Sequence, residues 1–207
     1  IWRHEYYLTV ASLYGSPTPT SEWFEAGTSI NASVTSPASG PTGTRYLCTG
    51  WIGTGSASAS GQDPSLTFTI DKPSRIIWNW KTQYLLTVHT DPAPLSPQPN
   101  VSISGPWYDN GTLVICTAQA ISQYVFDEWT VDEASWGAGI NPISVPMNGP
   151  CVAIAHYVQT RAWWETLLRP EIVQVILGLV GTVLTVALAG TTWFRTRKRR
   201  SIIKTFL

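Results

Sequence analysis

The chain has 207 residues, enough for one domain or for two small ones with a tail. Its 43% apolar and 12% aromatic content excludes a disordered polymer, and only 13% charged residues among abundant Ser, Thr, Gly and Pro fits an exported β-rich protein better than a helical enzyme. The formal charge of zero hides a separation, because residues 1–171 hold all 13 acidic side chains against seven basic ones, a net of −6, while residues 195–207 hold six basic ones and no acid.

Taken in chain order, the first 160 residues repeat themselves with a period near 78. Glu5-Tyr6-Tyr7-Leu8-Thr9-Val10 returns as Gln83-Tyr84-Leu85-Leu86-Thr87-Val88, and Tyr46 and Trp51 return as Tyr124 and Trp129. Trp23-Phe24 with Gly27-Thr28 returns as Trp107-Tyr108 with Gly111-Thr112, six residues late because the preceding loop is longer. Pro73 and Trp80 match Pro150 and Tyr157. The repeats run over 4–81 and 82–161. On the same offset Trp2 falls where Trp80 closes a repeat, so residues 1–3 are expected to end a preceding module. The chain begins with Ile1 and shows no signal peptide, and an N-terminal portion is expected to have been removed or left out.

Within each repeat the apolar residues alternate with period two, the mark of strands. Tyr6, Leu8 and Val10 share one face, as do Tyr84, Leu86 and Val88; Leu66, Phe68 and Ile70 recur as Ile143, Val145 and Met147. Asp71-Lys72-Pro73 and Asn148-Gly149-Pro150 supply turns before a last strand, predicting a closing hairpin in each repeat. The Ser-, Gly- and Pro-rich stretches 35–44, 53–64 and 91–106 read as loops. The expected architecture is all-β: two tandem small β-domains, sandwich or β-grasp-like, of about five strands each. They are joined so closely through Lys81-Thr82-Gln83 that the pair is stiff.

A juxtamembrane segment, 162–171, leads into Ile172–Phe194, 23 uncharged residues that as a helix reach roughly 34 Å and cross a bilayer. Trp163 and Trp164 on one side and Trp193 on the other suit the interfacial aromatic belts. The tail at 195–207, with Arg195, Arg197, Lys198, Arg199 and Arg200, is cytoplasmic by the positive-inside rule, which places residues 1–171 outside the cell membrane. A basic run beside a span fixes topology and meets anionic headgroups, so the expected partner is the lipid bilayer and not nucleic acid.

The segments WFEAGTS (23–29), RYLCTGWIGTGS (45–56) and IIWNWK (76–81), with Tyr6-Tyr7-Leu8-Thr9-Val10, resemble the β-rich repeat modules of archaeal and bacterial cell-surface proteins, distantly similar to divergent internalin-type B-repeats. The resemblance covers residues 5–160. It implies an extracellular spacer or adhesion module of all-β or β-grasp-like form without catalytic residues. The second repeat departs from the pattern at Glu128, where a Gly precedes Trp in the first, and at Asp132-Glu133, which replaces a small Gly-rich turn.

Outside the membrane Cys116 and Cys151 occur together in the second repeat, where the first has Ala32 and Ser74, which makes them a disulfide candidate in an oxidising exterior. Cys48 corresponds to Phe126 and reads as a small buried hydrophobe, with an intermolecular bridge as the alternative. Asn31, Asn100 and Asn110 each begin a glycosylation sequon. Trp23, Trp51 and Trp80 recur as Trp107, Trp129 and Tyr157 and so read as module core, which leaves Trp136 as the candidate ligand contact. Asp127, Glu128, Asp132 and Glu133 form the densest acidic patch, a weak calcium candidate without EF-hand spacing; His4, His89 and His156 have no zinc spacing. No nucleophile elbow or phosphate-cradling loop occurs, and no cofactor is expected. These features predict a membrane-anchored structural protein of the cell surface, a stalk or surface-layer component meeting other surface proteins or copies of itself. The alternatives are an adhesion module using Trp136 and the 91–106 loops, or the anchor of a surface enzyme.

Overall fold

The alternation of apolar and polar residues is realised as strands, and in the computed structural model, which describes residues 3–160, there is no helix. The first repeat runs through β1 (Glu5–Ala11), β2 (Glu22–Glu25), β3 (Thr28–Ser33), β4 (Ala38–Ser39), β5 (Thr44–Thr54), β6 (Ser60–Gly61) and β7 (Ser65–Ile70) into β8 (Ser74–Asp91). The second continues from β8 through β9 (Asn100–Val101), β10 (Trp107–Asp109), β11 (Leu113–Thr117), β12 (Tyr124–Val131), β13 (Ala134–Ala138), β14 (Ile143–Pro146) and β15 (Cys151–Gln159). In β3 the buried Ile30 and Ala32 alternate with exposed Ser29, Asn31 and Ser33, and in β15 the buried positions are Cys151, Ala153, Ala155 and Tyr157.

The sequence repeat is a repeat of pairings. β1 lies parallel to the start of β8, with Leu8 opposite Ser74 and Val10 opposite Ile76; the end of β8 lies parallel to β15, with Leu86 opposite Cys151 and Val88 opposite Ala153. β1 pairs antiparallel with β2, placing Tyr6 beside Phe24, and β8 pairs with β10, placing Tyr84 beside Tyr108. Ile30 meets Phe68 across β3 and β7, and Val114 meets Val145 across β11 and β14. Each repeat thus has a small sheet set against its part of a common ten-stranded sheet. A parallel first and last strand requires the chain to cross over between them, and the small sheet is that crossover.

Two cores fill the spaces between the layers. Leu8, Ile30, Trp51, Ile70, Ile76 and Trp78 form the first, and Leu86, Val114, Trp129, Val145, Met147 and Ala153 belong to the second. This corrects the expected closing hairpins. β7 pairs with β3 and β14 with β11, so the turns at 71–73 and 148–150 carry the chain from the small sheet to the large one. The physical reason is that Ile70 and Ile76 must both face one core, which an arch between layers achieves and a flat hairpin does not.

Trp51 shows how tightly the first core closes. Its ring lies against Gly61, where an added β carbon would come within 1.9 Å of the indole. Gly61→Ala is therefore expected to lower the unfolding free energy by about 2 kcal/mol through overpacking. Gly149→Ala, at a position with open space around it, is expected to change it by less than about 0.5 kcal/mol. Chemical denaturation of the full chain measures both.

The expected span at 172–194 lies outside the described residues, as do Trp163, Trp164, Trp193, Arg195, Arg197, Lys198, Arg199 and Arg200. Among the described residues no helix is long and apolar enough to cross a membrane.

Candidate functional site

The segment Lys81-Thr82-Gln83 lies in the interior of β8, an unbroken strand of 18 residues that extends over roughly 60 Å at about 3.3 Å per residue. Both of its edges are occupied at this point. β5 of the first repeat pairs Thr44 with Tyr84, Arg45 with Gln83 and Tyr46 with Thr82. β10 of the second repeat pairs Tyr108 with Tyr84 and Asp109 with Gln83. Because both strands address the same two residues of β8, they lie on opposite edges, and the junction is the middle strand of three.

Side chains fasten the same point. The Arg45 Nε–H donates to Gln83 Oε1 at 2.8 Å, and its guanidinium carbon stands 4.6 Å from the centre of the Trp107 ring. The Gln83 amide donates to Asp109 Oδ1 at 2.7 Å, and Lys81 Nζ donates to Asp109 Oδ2 at 2.8 Å. Gln83 is only 8% exposed, so its satisfied amide avoids the cost of an unpaired buried polar group, about 1–3 kcal/mol. The Lys81–Asp109 pair is itself nearly half exposed and contributes at most about 1 kcal/mol. Backbone and packing contribute the rest. The Leu85 N–H donates to the Gly43 carbonyl at 2.9 Å, and Gly43 sits so close to Pro150 that a β carbon would fall 2.5 Å from the proline. Gly43 also has φ of +71°, so this contact is open only to glycine without strain.

Beside the junction a groove of about 550 Å³ runs between the end of β1 with the loop after it and the middle of β8, lined by Leu13, Tyr14, Asn79, Trp80 and Thr82. Tyr14 stacks on Tyr46 at 3.6 Å and meets Trp80 edge-on, and the Trp80 indole N–H donates to Ser12 Oγ at 3.0 Å. A second fastening occurs on the second repeat, where His156 bonds Thr130 Oγ1 at 2.9 Å through Nε2 and Asp91 Oδ2 at 3.0 Å through Nδ1. Hydroxyl, imidazole and carboxylate follow the order of an acyl-transfer triad. The hollow on the same face is lined by Asp132 and Glu133, however, whose charge opposes a developing oxyanion. The two bonds tie β12, β15 and β8 together.

The residues singled out from sequence fall elsewhere. Asn31, Asn100 and Asn110 are all exposed, with Asn31 Oδ1 accepting from Thr67 Oγ1 at 2.8 Å. Trp136 lies on β13 and is 36% exposed, whereas Trp23, expected in the core, is 64% exposed. Cys48 is buried as expected. The expected Cys116–Cys151 disulfide is not formed, and both residues are free buried thiols. They reach the second core from different sheets, and the Cys151 thiol is directed at the Met147 sulfur, 3.8 Å away. The acidic patch does not assemble a calcium site, since among the described residues no three metal-ligating side chains gather. Neighbouring Asp127 and Glu128 point to opposite faces of β12, Glu128 accepts from Ser135, and Asp132 Oδ1 accepts from the Val152 N–H at 2.9 Å.

Residues 95–161 match the family model of the divergent InlB B-repeat domain. The matched span contains β9 to β15. The first repeat pairs β3 with β7 as the matched segment pairs β11 with β14. Neither the curated proteins nor the solved structures contain a significant match to the chain.

Two measurements check the site. The hydrogen bonds from Lys81 and Gln83 hold the Asp109 carboxyl below its ordinary value. Its contribution to stability is therefore complete above the unfolded carboxylate pKa and is lost as pH falls through the lower folded value. Asp109→Asn is expected to flatten that acid limb of a stability-against-pH curve. Burial pushes the Cys116 and Cys151 thiols up to about 11. At neutral pH both are expected to alkylate on the order of 100-fold slower in the folded chain than in denaturant, read by peptide mass.

Proposed function

We propose that the chain is a single-span protein of the cell surface, anchored by the 172–194 segment, whose two repeats form a stiff spacer, a stalk or a surface-layer element. The observation that carries the spacer reading is the unbroken β8, with one strand from each repeat on its two edges at the junction. Bending there requires breaking backbone pairs on both sides, whereas a linker bends freely. The separation of charge supports the anchored part of the reading, with −6 over residues 1–171 and the six basic residues of 195–207 beyond an uncharged stretch. The match of residues 95–161 to a B-repeat family supports a structural or adhesive surface module.

A second reading, an adhesion module, is favoured by the junction groove, where Leu13 is 83% exposed above Tyr14 and Trp80. It moves the expected contact away from Trp136 and the 91–106 loops. The two readings are compatible, since a spacer that carries a groove also presents it.

Stiffness is measured by spin labels at Ser29 and Ser144, both exposed and one in each repeat, in the full chain in lipid nanodiscs. The buried native thiols leave the engineered cysteines as the reactive ones. A narrow distance distribution is expected, broadened severalfold by a Gly-Gly-Ser insertion after Lys81; equal breadth with and without the insertion would overturn the spacer. For the anchor, external protease on intact cells is expected to remove residues before 162 and leave an epitope at 195–207 protected.

A further inference from the structure

The two repeats share a topology, but their first strands are not equally covered. β1 corresponds to the second half of β8 at an offset of 78, and β2 to β10 at an offset of 84. The ion pair Arg3–Glu25 occupies the place of Lys81–Asp109, so the entrance to the first repeat is laid out like the junction itself. Glu5 stands for Gln83, Tyr7 for Leu85 and Trp23 for Trp107. In the second repeat these positions are covered by the first: β5 pairs along residues 82–84, Gly43 takes the Leu85 N–H, and Arg45 lies over Trp107. In the first repeat the pairing of β1 with β8 begins only at Leu8, and among the described residues no strand covers that edge at Glu5–Tyr7. The consequence is exposure. Gln83 is 8% exposed while Glu5 lies open, and Trp23 is 64% exposed, with Tyr7 edge-on to it at 5.2 Å.

We propose that the β1 edge at Glu5–Tyr7, with Tyr7 and Trp23, is a docking surface for a further repeat of the same kind, entering as β5 enters the second repeat. An incoming Gly-x-Arg segment would pair with the strand edge, stack its guanidinium on Trp23 and meet the Glu5 carboxylate. That last contact is charge-assisted, where the existing junction has only the neutral Gln83 amide. A second copy of this chain does not supply the segment. The segment of its first repeat is engaged in its own junction, and its second repeat has Ile121 and Gln123 in place of Gly43 and Arg45. Ile121 is buried in the second core and carries a side chain where Gly43 leaves none, and Gln123 carries no charge.

The proposal rests on the spacer reading, and its test separates the two. Residues 4–81 are duplicated ahead of His4 in the full chain, and amide exchange and acrylamide quenching are followed, with a Trp23→Phe variant assigning the Trp23 signal. Exchange at Tyr7, whose N–H faces the open edge, is expected to slow about tenfold or more and Trp23 to be shielded, both reversed by Arg45→Ala in the added copy alone. A second arm requires no extra fold: a peptide of residues 40–49 added to the full chain is expected to protect the Tyr7 amide, and its Arg45→Ala form is not. An added repeat that folds, by slow exchange in its own strands, yet leaves Tyr7 and Trp23 as in the parent chain overturns the proposal, as does a peptide without effect. Fast exchange at Leu85 would instead overturn the spacer reading, because the existing junction is the control.

Discussion

The structure depends on one strand serving two repeats. The first half of β8 is the last strand of one module and its second half is the first strand of the next. Neither core closes without it: Ile76 and Trp78 complete the first and Leu86 completes the second. The usual division between a domain and its linker therefore does not apply at Lys81-Thr82-Gln83. Distortion of the strand there strains the parallel pair of each module at once.

Much of the architecture was legible in the residues. Leu8 corresponds to Leu86 and Ile30 to Val114, and their pairing partners Ser74 and Phe68 correspond to Cys151 and Val145, so a repeat found in the sequence became a repeat of register. The all-β class followed from the alternation in β3, β7 and β15. The layer to which each strand belongs was less legible, because Asp71-Lys72-Pro73 turns the chain equally well within a sheet or between sheets. What decides is that Leu66 and Ile76 must face the same core, a fact of three dimensions.

The site was legible only in part. Short linkage between repeats pointed to a stiff pair, yet Arg45, Gln83 and Asp109 had no motif to mark them, being far apart in sequence and brought together by β5 and β10. Trp23 was assigned to the core because its counterpart recurs, but recurrence shows a shared position and not shared burial. Trp107 is covered by a neighbouring module at a place where Trp23 is exposed. The cysteines illustrate a similar limit. Their joint appearance in one repeat reflects a shared core, where Cys116 and Cys151 act as compact apolar side chains.

The parallel arrangement of β1, β8 and β15 also bears on load. Tension applied at the start of β1 and the end of β15 runs along these strands, so neighbouring strands are drawn past one another lengthwise. The hydrogen bonds between Leu8–Ala11 and Ser74–Ile77, and those between Leu86–Asp91 and Cys151–His156, then share the pull as a group. A hairpin drawn apart at its ends loses its bonds one by one. The crossover topology makes the two-repeat body resist a pull between the start of β1 and the end of β15.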